Sequence, residues 1–190
     1  MKSQTNHDWY HLNGNWNEWQ RLEWKFRIPK GFQPTTKFCH LHQLKAQEGN
    51  NGAPLITIST RCDKDGGNKR VQVIHTGDTR TSGKGVIIDN LPLADFEDEW
   101  IQVETEMHYT HHGTFRIKLT RISDGKVLAD QSFADVDLWR KGATSIRNKF
   151  GIYRSLGRKM QSASDRPDNG LKDESLQLAD FKVYEAQIGR

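Results

Sequence analysis

The chain reads as all-β: a two-sheet antiparallel β-sandwich, most plausibly a jelly roll, with little helix. Three observations predict this. Apolar and polar residues alternate with period two in segment after segment. Gly-, Asp- and Asn-containing turns separate those segments at short intervals. No long stretch keeps the 3.6-residue apolar period of a packed helix.

Taken in order, residues 19–28 place Leu22, Trp24, Phe26 and Ile28 on one face of a strand. Trp19, Arg21, Glu23, Lys25 and Arg27 take the other, and Pro29 and Gly31 end it. Residues 37–46 alternate Cys39 and Leu41 against His40 and His42. Residues 54–62 and 69–75 flank the sequence DKDGGN, a hairpin turn. Residues 85–89 form a short strand. Residues 99–109 and 113–122 are joined by a short turn of His and Gly, and Asp124-Gly125 leads into 126–133. One turn of helix is expected within 134–141. Residues 145–154 and 175–185 are the last strands, giving about ten or eleven in all. Two stretches, 76–84 and 155–171, stay irregular, and loops of that length in a compact domain are usually functional or disordered.

A length of 190 residues suits one sandwich domain with a real core, expected to span 1–190. The net charge of +4 suits an anionic partner: nucleic acid, an acidic polysaccharide or a membrane surface. No apolar run approaches membrane-span length. The opening MKSQTNHDWYHLNGNW lacks the apolar centre of a signal peptide, so either the protein stays inside the cell or a leader lies outside this chain. Cys39 and Cys62 cannot make a zinc site alone, and both alternate onto core faces, with their pairing left open.

Three features carry chemistry. In residues 145–154, Arg147, Lys149, Gly151 and Tyr153 share one face, and Ile146, Phe150 and Ile152 take the core face. Two cations and a phenol thus line up beside a glycine, which lets a backbone or ligand approach closely. Alternation also puts His40 and His42 on one face, where imidazoles bind a metal, position a substrate or move a proton. Arg61 shares a face with Thr57 and Ser59, and Arg21, Lys25 and Arg27 share one with Trp19. Guanidinium binds carboxylate in a fork, and an aromatic ring stacks on a sugar. For each residue alone, an ordinary exposed surface is the plainer reading.

The order of an H-L-H-Q-L-K-A strand, a W-I-Q-V strand, K-F-G-I-Y-R and finally D-E-S-L-Q-L-A-D-F-K-V-Y resembles the jelly-roll polysaccharide lyases of the heparin lyase I and alginate lyase type, on a concanavalin-like sandwich. Lys149-x-Gly151-x-Tyr153 is similar to their K-A-G-x-Y, and His40-x-His42 resembles their Gln-x-His. Their R-x-E-[LM]-[RK] strand, whose Arg helps bind the substrate carboxylate, is not placed; Met1-Lys2 is read as its tail, with the first strand upstream. Arg61 or Arg21 is the candidate substitute.

The resemblance implies β-elimination next to a uronic acid, leaving a 4,5-unsaturated end. The carboxylate must be neutralised before C5 will release its proton. A base then takes that proton and an acid protonates the departing glycosidic oxygen. In this scheme Tyr153 is the acid and also a candidate base, His42 is the alternative base, and Lys149 tunes Tyr153 or binds the sugar. His40, Gln43, Arg61, Arg147 and Arg21 bind substrate. The resemblance further implies an anionic polysaccharide such as alginate, glucuronan or heparin as partner, with no nucleic acid or membrane. It implies a monomer, secreted or periplasmic. No cofactor is required, although such sandwiches often hold structural calcium.

Three rivals differ from this in class. A glycoside hydrolase resembling the laminarinases needs E-x-D-x-x-E to set two carboxylates across the bond, and no E-x-D occurs. A non-catalytic carbohydrate-binding module or lectin for acidic polysaccharide shares the fold, aromatics and basic lining, but needs no Lys149, Tyr153 and histidines on facing strands. A nucleic-acid binder has only the charge in its favour, with no RNP-like, KH or zinc-finger pattern.

Overall fold

The computed structural model describes residues 12–79, 81–156 and 171–187. Ten strands follow in order: β1 (Glu18–Arg27), β2 (Cys39–Gln47), β3 (Ile56–Arg61), β4 (Arg70–His75), β5 (Gly85–Pro92), β6 (Ile101–His108), β7 (Gly113–Arg121), β8 (Val127–Val136), β9 (Ser145–Arg154) and β10 (Gln177–Gln187). They form two five-stranded sheets, a front sheet β5-β4-β3-β2-β9 and a back sheet β10-β1-β6-β7-β8, every described pairing between them antiparallel. The all-β sandwich expected from the alternation is the fold observed.

The core lies between the sheets. Leu22, Trp24 and Phe26 of β1 and Val103 and Met107 of β6 meet Ile56 and Ile58 of β3 and Val71 and Val73 of β4, all buried. Burying one such side chain stabilises the fold by roughly 1.5–3 kcal/mol. The alternate positions of the front sheet therefore face outward, away from the back sheet.

Two local expectations are corrected, and the open question of the cysteines is answered. No helical turn forms at 134–141: β8 runs on to Val136, and Asp137 and Arg140 are instead fixed by side-chain bonds to the loop at 76–78. Arg140 bonds four backbone carbonyls, those of Gly77, Ala53, Pro54 and Thr76, which ties this corner down without regular structure. A short 3-10 turn, Leu93–Asp95, follows β5, which extends beyond the expected 85–89 to Pro92. Cys39 and Cys62 are both buried and both free thiols. Among the described residues, no helix is long and apolar enough to cross a membrane, and no group of three or more His, Cys, Asp or Glu is placed to hold a metal ion. Met1-Lys2 and most of the 155–171 loop lie outside the described residues.

Candidate active site

β9 is the last strand of its sheet, paired with β2 and, at Ile146, bridged to Gly14 on its other edge, and it alternates as its sequence predicts. Lys149 and Tyr153 are exposed, whereas Ile146, Phe150 and Ile152 pack on the core. Tyr153 lies opposite His40, and Lys149 opposite Gln43. The Tyr153 ring is 58% exposed, so its hydroxyl is open to a ligand. It sits 6.1 Å from the His40 ring and 5.4 Å from Phe38, which itself stacks on His40 at 5.0 Å. Phe38 had not been singled out from sequence. Its signal is simple: it stands two residues before His40, hence on the same face.

Under these rings lies a polar floor. His40 Nδ1 is 2.6 Å from Ser59 Oγ, and Ser59 Oγ donates to Thr57 Oγ1 at 3.1 Å. Because that hydroxyl proton goes to Thr57, the network assigns Nδ1–H as donor to Ser59 and leaves Nε2 with its lone pair. Burial, and then the Arg61 charge beside it, push the His40 pKa down to about 4, so the ring is neutral near pH 7.

The cations on this face are only weakly countered: burial and the Arg70 charge weigh on Arg61, and Asp89 offsets them without forming an ion pair. Among the described residues Arg61, Arg147 and Lys149 form no ion pair, and Arg61 and Arg147 each keep a buried Nε with no hydrogen-bond partner. Burial leads, and then Lys149, Arg147 and Arg140 crowd Lys45, in pushing its ammonium pKa down. Arg70 lies opposite Arg61 but is engaged by Asp63 at 2.8 Å and Asp89 at 3.5 Å. The face thus combines a neutral imidazole, an exposed phenol and cations that form no ion pair among the described residues.

Three sequence-based placements change. First, the two imidazoles do not share a face. The register shifts between His40 and His42: His40 pairs with Ser59, but His42 pairs with Ile58, a core residue. His42 is turned inward, 2% exposed, with Nε2 at 3.0 Å from Asn148 Oδ1. The Trp24 and Phe150 rings surround it at 5.3 and 4.9 Å. It cannot touch a substrate on the outer face, so the alternative base is lost, and Gln43 takes the outer phase in its stead, 5% exposed beneath its neighbours. Second, Arg21 lies on the outer face of the back sheet, bonded to Glu23 at 2.7 Å and Glu104 at 2.9 Å. Its strand reads Arg21-Leu22-Glu23-Trp24-Lys25, one residue away from the R-x-E-[LM]-[RK] pattern sought upstream of Met1. Its arginine nevertheless belongs to the wrong sheet. Third, Gly151 does not mark a close approach. An added Cβ would meet nothing within 4 Å; the glycine is required by its φ of +120°.

No protein-family model matches the chain, and no curated protein sequence does. Solved structures do match. An alginate lyase from Pseudomonas aeruginosa, PA1167, superposes with a TM-score of 0.51 and 17% identity over 91% of this chain and 68% of that one. Alginate lyase AlyC3 gives 0.50 and 12% over 92% and 67%. The family 7 alginate lyase A1-II′, with one histidine and one tyrosine substituted and in complex with substrate, gives 0.53 and 11% over 94% and 66%. At these identities the likeness establishes a shared jelly-roll sandwich.

Proposed function

We propose that this protein is a polysaccharide lyase that cleaves a uronic-acid-containing chain by β-elimination on the outer face of the front sheet. The observation that carries the reading is the Tyr153–His40 couple set among cations that form no ion pair among the described residues. One of the structurally similar alginate lyases holds substrate when a histidine and a tyrosine are replaced, which supports the same pair of residue types here.

The chemistry follows from the geometry. The uronate carboxylate binds Arg61, with Gln43 and Lys149 as neighbouring donors. Its charge is offset, so the C5–H bond becomes acidic enough to break. His40 Nε2, kept unprotonated by burial and Arg61, accepts the C5 proton. Electrons move into the C4=C5 bond as the C4–O bond breaks, and the Tyr153 hydroxyl gives its proton to the departing oxygen. Arg147 and Lys149 extend the cationic lane along β9 for further sugar carboxylates.

The test is incubation of the purified protein with alginate, glucuronan, heparin and pectate, followed by ultraviolet absorbance of the new C4=C5 double bond. Absorbance growth on at least one polyuronate is expected. Tight retention of a polyuronate with no absorbance change on any of them would sink the lyase reading and leave a binding module.

A further inference from the structure

We infer that His42 is a positioning residue, whose hydrogen bond to Asn148 selects which side chains of β2 face the site: His40 and Gln43 rather than His40 and His42. This rests on the outer face being the working face proposed above.

The strand sequence forces a slip of phase. Cys39 and Leu41 are buried before the slip, and Leu44 and Ala46 after it. Positions 41 and 44 are three apart, so strict alternation cannot bury both on one face. One residue must be inserted, and two registers satisfy the apolar side chains equally. In one, His42 turns in and Gln43 turns out. In the other, His42 turns out and Gln43 turns in. The structure has the first, with the shift between His40 and His42 seen against both neighbours, β3 and β9. On the β9 side Gly151-Ile152 lies across from Leu41, where the glycine φ of +120° accommodates the extra length.

Hydrophobicity does not choose between a histidine and a glutamine; a hydrogen bond does. A buried imidazole is costly without a partner. Asn148 supplies one at 3.0 Å, and its own amide reaches Gln20 Oε1 at 3.5 Å, which also accepts from Tyr109 Oη at 2.8 Å. A polar chain therefore crosses the core from β2 to Tyr109, just past β6, and holds His42 between two aromatic rings. Among the described residues Nδ1 has no partner, so the Asn148 bond is the polar tie of this ring.

The test is nuclear magnetic resonance of the histidine rings across pH in the full chain, in wild type, Asn148→Leu, Asn148→Ala and His42→Gln. In wild type the His42 ring is expected not to titrate near pH 6.5. In Asn148→Leu it should move outward and titrate close to the ordinary value, with lyase turnover falling about tenfold as Gln43 leaves the face. His42→Gln, which keeps an amide for Asn148, should preserve the His40 ring shifts. Asn148→Ala gives a milder form of the same change should the leucine variant not fold. A His42 ring that titrates normally in wild type, or one that stays silent in both Asn148 variants, overturns the inference. Ring behaviour as expected in a protein without lyase activity supports the register choice and removes only the proposed reaction.

Discussion

Both outer faces of the sandwich carry arginine and lysine, and they treat the charge in opposite ways. On the back sheet Arg21 is held by Glu23 and Glu104, Lys25 by Asp180 at 2.5 Å, and Arg116 by Asp130 at 3.1 Å and Glu106 at 3.4 Å. On the front sheet Arg61, Arg147 and Lys149 have no such partners among the described residues, and Lys45 reaches only the Gly52 carbonyl at 3.4 Å. The back face is a solvated surface, self-neutralised except at Lys118, which forms no ion pair among the described residues. The front face holds its positive charge open, which costs stability and makes sense when an anion completes it. The lesson is that residue type does not identify a binding face; the absence of a counter-charge does.

The sharpest way to break this contrast is a matched pair of exposed tyrosines. Tyr153→Phe removes one hydroxyl from the front face, and Tyr184→Phe removes one from the back face, where Tyr184 lies under the Arg21 guanidinium at 5.9 Å. If Tyr153 is the acid, its variant should lose roughly 10²–10⁴ in turnover with an unchanged melting temperature. Tyr184→Phe should turn over like wild type. Equal losses in the two variants would dissolve the distinction between the faces.

Acid separates the two sheets in another way. His42 and His75 are buried on the front sheet with lowered pKa values, burial being the first cause in each. His75 has both nitrogens in use, Nε2 to the Asp137 carbonyl at 2.9 Å and Nδ1 accepting from the Lys84 amide at 3.0 Å, so a second proton would displace that amide. For both, the unfolded chain binds protons more readily than the folded one. Their stabilisation is complete above about pH 6.5 and declines as pH falls toward the folded values. For His42, whose pKa is lowered to about 4, the loss amounts to about 3 kcal/mol by the time that pH is passed. Urea denaturation from pH 7 to 4 should show this decline, and His42→Gln should flatten part of it. A stability flat across that window would show that neither imidazole is buried neutral.

Arg61 and Arg21 offer the third comparison. Arg61→Met removes a charge that forms no ion pair and should lower affinity for a polyuronate by about 10- to 100-fold, as for a hydrogen bond to a charged group. Arg21→Met breaks exposed ion pairs and should alter stability by less than about 1 kcal/mol without touching affinity. Affinity electrophoresis in a polyuronate gel, with melting curves alongside, reads both. An Arg21 variant that released the polysaccharide as readily as the Arg61 variant would move the binding surface to the back sheet.

Much of this was legible beforehand, and for identifiable reasons. The sandwich follows from period-two alternation, and β9 follows residue by residue because Ile146, Phe150 and Ile152 stay in phase along it. β2 misled because its apolar residues change phase between Leu41 and Leu44, a signal present in the sequence but overridden by treating His40-x-His42 as regular alternation. Arg21 misled for a different reason. Face alternation within β1 is legible, but no local pattern states which of two sheets a strand joins. Side-chain pairing across sequence separations as long as Lys25–Asp180 is likewise invisible to periodicity.

The smallest effect concerns what each sheet asks of its glycines. In the back sheet Gly113 opens β7, where an added Cβ would lie 2.0 Å from the His108 carbonyl oxygen; the demand is for space. In the front sheet Gly151 has open space around it but a φ of +120°; the demand is for backbone conformation. Gly151→Ala should therefore cost about 1–3 kcal/mol, the range for a residue held in a sparsely populated region. Relief is available to it, because β9 is an edge strand and can shift to a more relaxed backbone. Such a shift moves Tyr153 against His40, so turnover should fall while the melting temperature drops only modestly. Gly113→Ala has no such escape, since the obstructing atom is backbone, and should lose stability with no selective effect on the front face. Circular dichroism melts and turnover measured on the two variants decide it. A Gly151→Ala protein as active and as stable as wild type would mean that the irregularity opposite Leu41 is not what sets the Tyr153–His40 geometry.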